Sequence, residues 1–367
     1  MPTRWCKASS ALVRRNSTQS CWVEMPIEIF AYCTHRDPPE PEFPHEPVFV
    51  RNESTPGFVE HLMKLVQDLF ESGDGQISQT LYAVCRHLQR TNMLVAFKVD
   101  GEHVEAIAPW AWQSNAILFL PDRTIRDPNG AVLHDPSSEQ PDLNAQLPFL
   151  PDARQRKAQS EIELRNRLID TPEALPPVIS EWEVTLRSAD EVVWRMLALF
   201  VVAVRAESLS SGKPIPIEAL REKSPLAFQA LSPWETAFLQ NTSPSEPDVS
   251  AAGWRYEALA TLQWALGMSP TLPFPDAICD VPEVARQMIA MPARQMIESA
   301  TLRPSGEILD ALDLNFRLLW AARDAATRQT EPPAGVEGGV IAERQHALNW
   351  LTFFENAEWD EVDIPSS

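Results

Sequence analysis

Apolar positions along the chain follow two regimes. In the first, short apolar runs alternate with amphipathic stretches. Ile27 to Cys33 (IEIFAYC) reads as a strand, and Pro38, Pro39, Pro41, Pro44 and Pro47 then predict an extended loop. Phe58, Leu62, Leu65, Val66 and Leu69 share one face of a helix over 58–71. A second helix is predicted over 81–90, and Met93 to Val99 alternates as a strand does. A helix over 102–114 and a strand over 116–120 follow. Asp127-Pro128-Asn129-Gly130 is a tight-turn signal between 124–126 and 131–133, and predicts a hairpin. This alternation predicts a small α+β domain over 25–135.

A Pro-rich stretch over 136–151 reads as a linker, and the second regime, to residue 367, is helical. A charged helix is predicted over 152–168 and an extended segment over 176–187. Ser188 with Glu191 forms a capping box that opens a long helix ending near Ser210. Ser232-Pro233-x-Glu235 opens a short helix with proline in its first turn. Residues 249–266 form a helix that stops at Gly267, and Asp280 with Glu283 caps the next. Helices over 305–328 and 338–356 complete the set. The fold class is therefore α+β: a small N-terminal α+β domain followed by a larger, mostly α-helical bundle domain.

The helices over 188–210 and 249–266 are apolar on every side, so each must be enclosed by other elements; they are the expected central pair of the bundle. Their few charges then need explaining: Arg195, Arg205 and Glu207 in one, Arg255 and Glu257 in the other. In the helix over 338–356, Arg344 falls on the apolar stripe of Val340, Ala347 and Leu351, so it should point inward or into a cleft. In the helix over 305–328, Asp310, Asp313 and Arg317 lie beside the apolar face. A buried charge costs several kcal/mol unless paired. Arg255 and Arg344 are therefore expected to find carboxylates among Glu257, Glu343, Asp310 and Asp313. Two arrangements satisfy this: a structural ion-pair network that sets helix register, or an Arg/carboxylate-lined cleft with His346 as its proton-transfer group.

Charge narrows the function classes. The formal net charge is −20; residues 151–367 hold 19 Lys+Arg against 32 Asp+Glu, so both halves are acidic. Such a field repels nucleic acid and anionic lipid, and leaves a basic protein as the favoured macromolecular partner. The five cysteines are scattered and odd in number, which suits a reducing, cytoplasmic setting and argues against disulfides or a zinc site. The first 24 residues are mildly basic and Ser-rich; they read as a disordered extension, or as a stretch ahead of a start at Met25.

Several motifs match only superficially. Ser210-Ser211-Gly212-Lys213 lacks the companion motifs of a Ser–Lys enzyme and the first glycine of a phosphate-binding loop. Asp74-Gly75-Gln76-Ile77 echoes a calcium loop, but Phe70 and Leu81 occupy the positions of its first and last carboxylates. Glu343-x-x-His346 has the spacing of a di-iron helix, without the second copy such a site requires. No metal or cofactor is implied.

One set of segments stands together: Leu175-Pro176-Pro177, Glu183 to Ser188 leading into the long apolar helix, and Trp254 to Leu259 (WRYEAL) with Leu262 to Gly267. It continues through Leu302-Arg303, Glu307 to Leu314, Arg317 with Trp320-Ala321, Glu343 to Leu351, and Trp359 to Asp363. On these residues the C-terminal part, over about 152–363, resembles the domain-of-unknown-function 4272 family. The resemblance implies a bacterial, cytoplasmic, helix-rich protein and carries over no activity and no catalytic residue.

Two functional expectations follow. The first is a non-enzymatic interaction or accessory protein, in one version an immunity-type binder of a basic partner through Glu358–Asp363. The alternative is an enzyme for a small anionic substrate, with Arg255 and Arg344 as binders and His346 or Glu343 as acid or base. The missing catalytic motifs lean against an enzyme.

Overall fold

A computed structural model of the chain describes residues 26–72, 78–138 and 140–364. The predicted N-terminal extension and the calcium-loop echo at 74–77 lie outside them. The chain divides into two compact units between Pro151 and Asp152.

The first unit is built on an antiparallel sheet of β1 (Ile27–Cys33), β2 (Glu46–Asn52), β3 (Met93–Val99), β4 (Ala116–Phe119), β5 (Ile125–Arg126) and β6 (Val132–His134), in the order β2-β3-β1-β4-β5-β6. Strand β1 is apolar on both sides because both sheet faces are covered. Ile29, Ala31 and Cys33 pack with Phe97 and Trp110 on the face of α3 (Ile107–Gln113). Tyr32 and Leu94 pack on the other face with α1 (Phe58–Ser72) and α2 (Gln79–Gln89). The predicted helix over 102–114 is a 3-10 turn, Gly101–Ala106, running into α3.

Two expectations change in this unit. The prolines before residue 48 predicted a loop, yet β2 is an edge strand. An edge position spares Pro47 the ladder bond it cannot donate, and the register shifts between Pro47 and Phe49. The predicted linker is packed: Ala145 and Leu147 lie against the α1/α2 core, and Asp127 accepts the Gln146 N–H at 3.0 Å. The same carboxylate closes the β5–β6 hairpin by accepting from Asn129 and Ala131, with Gly130 at φ +82°.

The second unit comprises α4 (Pro151–Asn166), α5 (Ala189–Ser210), α6 (Ile217–Lys223), α7 (Pro233–Gln240), α8 (Glu246–Ala265), α9 (Val281–Ile289), α10 (Ala293–Ser299), α11 (Ser305–Thr327) and α12 (Gly338–Leu351). Helices α5 and α8 form the central pair, α12 packs on α8, and α11 packs on α12. Met196, Leu199, Val202, Leu259 and Leu262 are at most 2 % exposed in their shared core.

Capping chemistry sets the helix starts. The Ser188 N–H donates to Glu191 at 2.8 Å, and Ser232 and Glu235 exchange bonds at the start of α7. Helix α8 opens three residues before its predicted start because Ser245 and Asp248 form a further capping box around Pro247. Helix α12 ends at Leu351, five residues early: Phe353, Glu355 and Asn356 take left-handed φ values of +50°, +58° and +54°. That turn sends the strap 354–364 back over the bundle, where Trp359 and Val362 are buried. No helix among the described residues is long and apolar enough to cross a membrane.

Candidate functional site

Helix α4 buries Ala153, Arg156, Ser160 and Leu164, one stripe at helical spacing of which only the ends are apolar. Arg156 clamps this helix to its surroundings. Its Nε donates to Asp310 Oδ1 on α11 at 2.9 Å and its Nη1 to the Ile179 carbonyl at 3.2 Å. Between α4, α11 and segment 271–275 lies a cleft of about 490 Å³, to which α12 contributes Arg344 and α8 contributes Trp264. That volume is in the range of small-molecule sites.

Arg344 sits on the stripe with Val340, Ala347 and Leu351, and is 5 % exposed. Its hydrogen bond is from Nη1 to the Pro273 carbonyl, at 2.5 Å. Its Nε is buried without a partner, and among the described residues no carboxylate lies within ion-pairing distance of it. Burial pulls its guanidinium below the usual arginine range, opposed by the field of Glu257. Glu257 accepts the Cys279 N–H on Oε1 at 2.5 Å, and its Oε2 is buried without a hydrogen-bond partner among the described residues. Burial, reinforced by Glu257, pushes the Cys279 thiol up to about 12, so it stays protonated and is no nucleophile near neutral pH.

The other charges lining the cleft have partners. Asp310 pairs with Arg156, Glu307 with Arg303 at 2.8 Å, and Glu163 with Arg167 at 3.8 Å. Two aromatic rings contribute wall: Phe274, with Arg167 over its face at 4.0 Å, and Trp264, with Arg303 at 5.2 Å. Leu314 and Leu318 add apolar surface.

The remaining predicted site residues do not share this cleft. Arg255 and Glu343 pair with each other, Nη1 donating to both carboxylate oxygens at 3.1 and 3.0 Å. Burial raises the Glu343 carboxyl, and Arg255 opposes that rise. His346 is 9 % exposed, its ring 4.5 Å from that of Trp359. Burial and the guanidinium of Arg255 lower it to about 4. Trp359 also lies under Arg195, which is paired with the wholly buried Glu235. Arg317 and Asp313 form an i,i+4 pair at 2.8 Å, both 0 % exposed, with Glu161 at 3.7 Å from Arg317. The arrangement expected of the enzyme, with Arg255, Arg344, Glu343 and His346 in one cleft, is therefore replaced. Arg344 alone of the four lines the cleft, and it lacks the carboxylate foreseen for it.

Arg205 and Glu207 on α5 are also satisfied locally. Arg205 donates to the Ile215 carbonyl beside a smaller cavity of about 310 Å³ that Arg221 and Glu218 also line. Glu207 accepts the Tyr256 hydroxyl at 2.8 Å. Among the described residues no three His, Cys, Asp or Glu side chains assemble as metal ligands.

Sequence reasoning missed Arg156, Trp264 and Phe274 as cleft residues. The 153/156/160/164 spacing was a usable signal for Arg156; nothing local marks Phe274, which lies in an irregular segment.

A scan against family models matches residues 156–362 to "Domain of unknown function (DUF4272)". No curated protein and no solved structure matches the chain. The family match runs from the cleft arginine Arg156 to the buried strap residue Val362 and covers more than half of the 367 residues. Through its helical unit, the chain belongs to the domain-of-unknown-function 4272 family.

Proposed function

We propose that this is a non-catalytic binding protein whose helical unit takes a small anionic molecule into the cleft between α4, α11 and segment 271–275. One observation carries the reading: Arg344 is enclosed, lines the cleft and has no carboxylate within ion-pairing distance among the described residues. A guanidinium held this way costs stability in the empty protein, and an anionic ligand offsets that cost. The acid–base candidates Glu343 and His346 lie outside the cleft, which favours binding over catalysis.

The test is a thermal-shift screen of the full chain against small anions and their neutral isosteres. A ligand at a hundred times its Kd adds about 2.7 kcal/mol, which raises the melting temperature by several degrees. Anions should produce that shift in the wild type and not in Arg344→Gln. Anions that shift neither protein, or both equally, would refute the reading.

A second reading has its own observation. The strap exposes Glu355, Glu358, Asp360, Glu361 and Asp363 while Trp359 and Val362 anchor it, an acidic surface held in place. It suits a basic protein partner, consistent with the net charge of −20. Binding of such a partner should fall steeply with salt and weaken when Glu358, Asp360 and Glu361 become Gln. Salt-independent capture would remove this reading.

A further inference from the structure

The cleft's charge pattern goes beyond "small anion", and the following step rests on the cleft reading above. Each lining carboxylate is already engaged: Asp310 by Arg156, Glu307 by Arg303, Glu163 by Arg167. Arg344 is the lining charge with no ion-pair partner among the described residues. One guanidinium can neutralise one negative charge. A phosphate monoester carries about −1.5 to −2 near neutral pH and would bring a surplus into a site edged by three carboxylates. A carboxylate brings a single charge, and its planar pair of oxygens matches the planar guanidinium. Most of the N–H donors of Arg344 remain for it, because Pro273 takes only a bond from Nη1.

The rest of the ligand follows from the walls. Trp264, Phe274, Leu314 and Leu318 supply aromatic and aliphatic surface. Arg167 and Arg303 lie over the two rings and hold them in place. Asn315 also lines the cleft; it is 4 % exposed and fixed by bonds from Nδ2 to the Ile341 carbonyl at 3.0 Å and to Gln345 at 2.9 Å. A rigid wall of this kind selects a compact apolar body.

We infer that the cleft binds a small aryl or branched-alkyl monocarboxylate, with the carboxylate on Arg344 and the apolar body against Phe274, Trp264 and Leu314.

The experiment is isothermal titration calorimetry of the full chain with four probes: phenylacetate, phenylacetamide, phenyl phosphate and inorganic phosphate. Phenylacetate should bind at least tenfold tighter than its neutral amide and tighter than phenyl phosphate, with no heat from inorganic phosphate. Arg344→Gln should lose phenylacetate binding. Leu314→Trp, which fills the cleft and leaves Arg344 in place, should lose it too, so the result does not depend on one variant folding. If phenyl phosphate binds tighter than phenylacetate, the carboxylate assignment falls and the small-anion reading stands. If no anion binds, both fall. If the amide binds as well as the acid, Arg344 is not the anchor.

Discussion

Arg317 and Arg344 are large cations buried on two helices that pack against each other, α11 and α12, and they are treated in opposite ways. Arg317 is 0 % exposed and meets Asp313 at 2.8 Å, with Glu161 and the Pro176 carbonyl beside it. Arg344 is 5 % exposed, meets one carbonyl and borders open space. Burial alone therefore does not mark a functional charge. The first arginine is compensated from inside the fold and fixes how α11 meets α4 and segment 176–178. The second has no ion-pair partner among the described residues and meets only the field of Glu257, Cys279 and Asp276.

The largest expected effect tests the compensated side. Arg317→Met leaves the Asp313 carboxylate buried with the Val178 N–H as its remaining partner, and should cost ~3–5 kcal/mol in urea unfolding. Adding Asp313→Leu should recover most of that loss. A single-variant cost below about 1 kcal/mol would erase the distinction between the two arginines.

Next comes a pH effect at the strap. His346 is held at about 4 against an ordinary 6.5, chiefly by burial, so the folded state prefers the neutral ring and the unfolded chain takes up the proton first. The related stability is complete above pH 6.5 and declines as pH falls toward 4. By then ~3 kcal/mol is gone. His346→Gln should flatten this slope when urea midpoints are compared between pH 7.5 and 4.5. An unchanged slope would mean the ring is not enclosed in solution. His87, lowered to about 3 by burial in the other unit, gives a comparable slope there and is the control.

The smallest effect is the sharpest for the comparison. Arg344→Met removes a buried charge without breaking an ion pair, so its stability should stay within about 1 kcal/mol of wild type. A loss near that of Arg317→Met would show that Arg344 is paired within the fold, and would remove the basis of the cleft reading.

Apolar periodicity is enough to find α5, α8, α11 and the sheet strands β1 and β3, because these elements bury continuous apolar surface. Capping pairs at Ser188 and Ser232 locate helix starts for an equally local reason. The same logic places Arg344 on a buried stripe. Its partner is beyond such logic, since choosing among Glu257, Glu343, Asp310 and Asp313 depends on how four helices pack. Helix α4 was legible only as a charged helix, because its buried stripe contains Arg156 and Ser160 where apolar residues would have announced a face. The early end of α12 is tertiary as well: the left-handed turn at Phe353 makes sense only once Trp359 is seen on His346.

The strap also bears on the order in which the unit assembles. Arg187, just ahead of α5, donates from Nε to the Trp350 carbonyl and from Nη2 to that of Ala357, across 163 and 170 residues of sequence. Helical proteins usually fold quickly because their contacts are local, whereas contacts this distant must wait for a long loop to close. Helices α5 and α8 can pair early. Arg195, Arg255 and the His346 ring lack their Trp359 contact until the strap arrives, so the slow step in folding this unit is expected to be the docking of the strap.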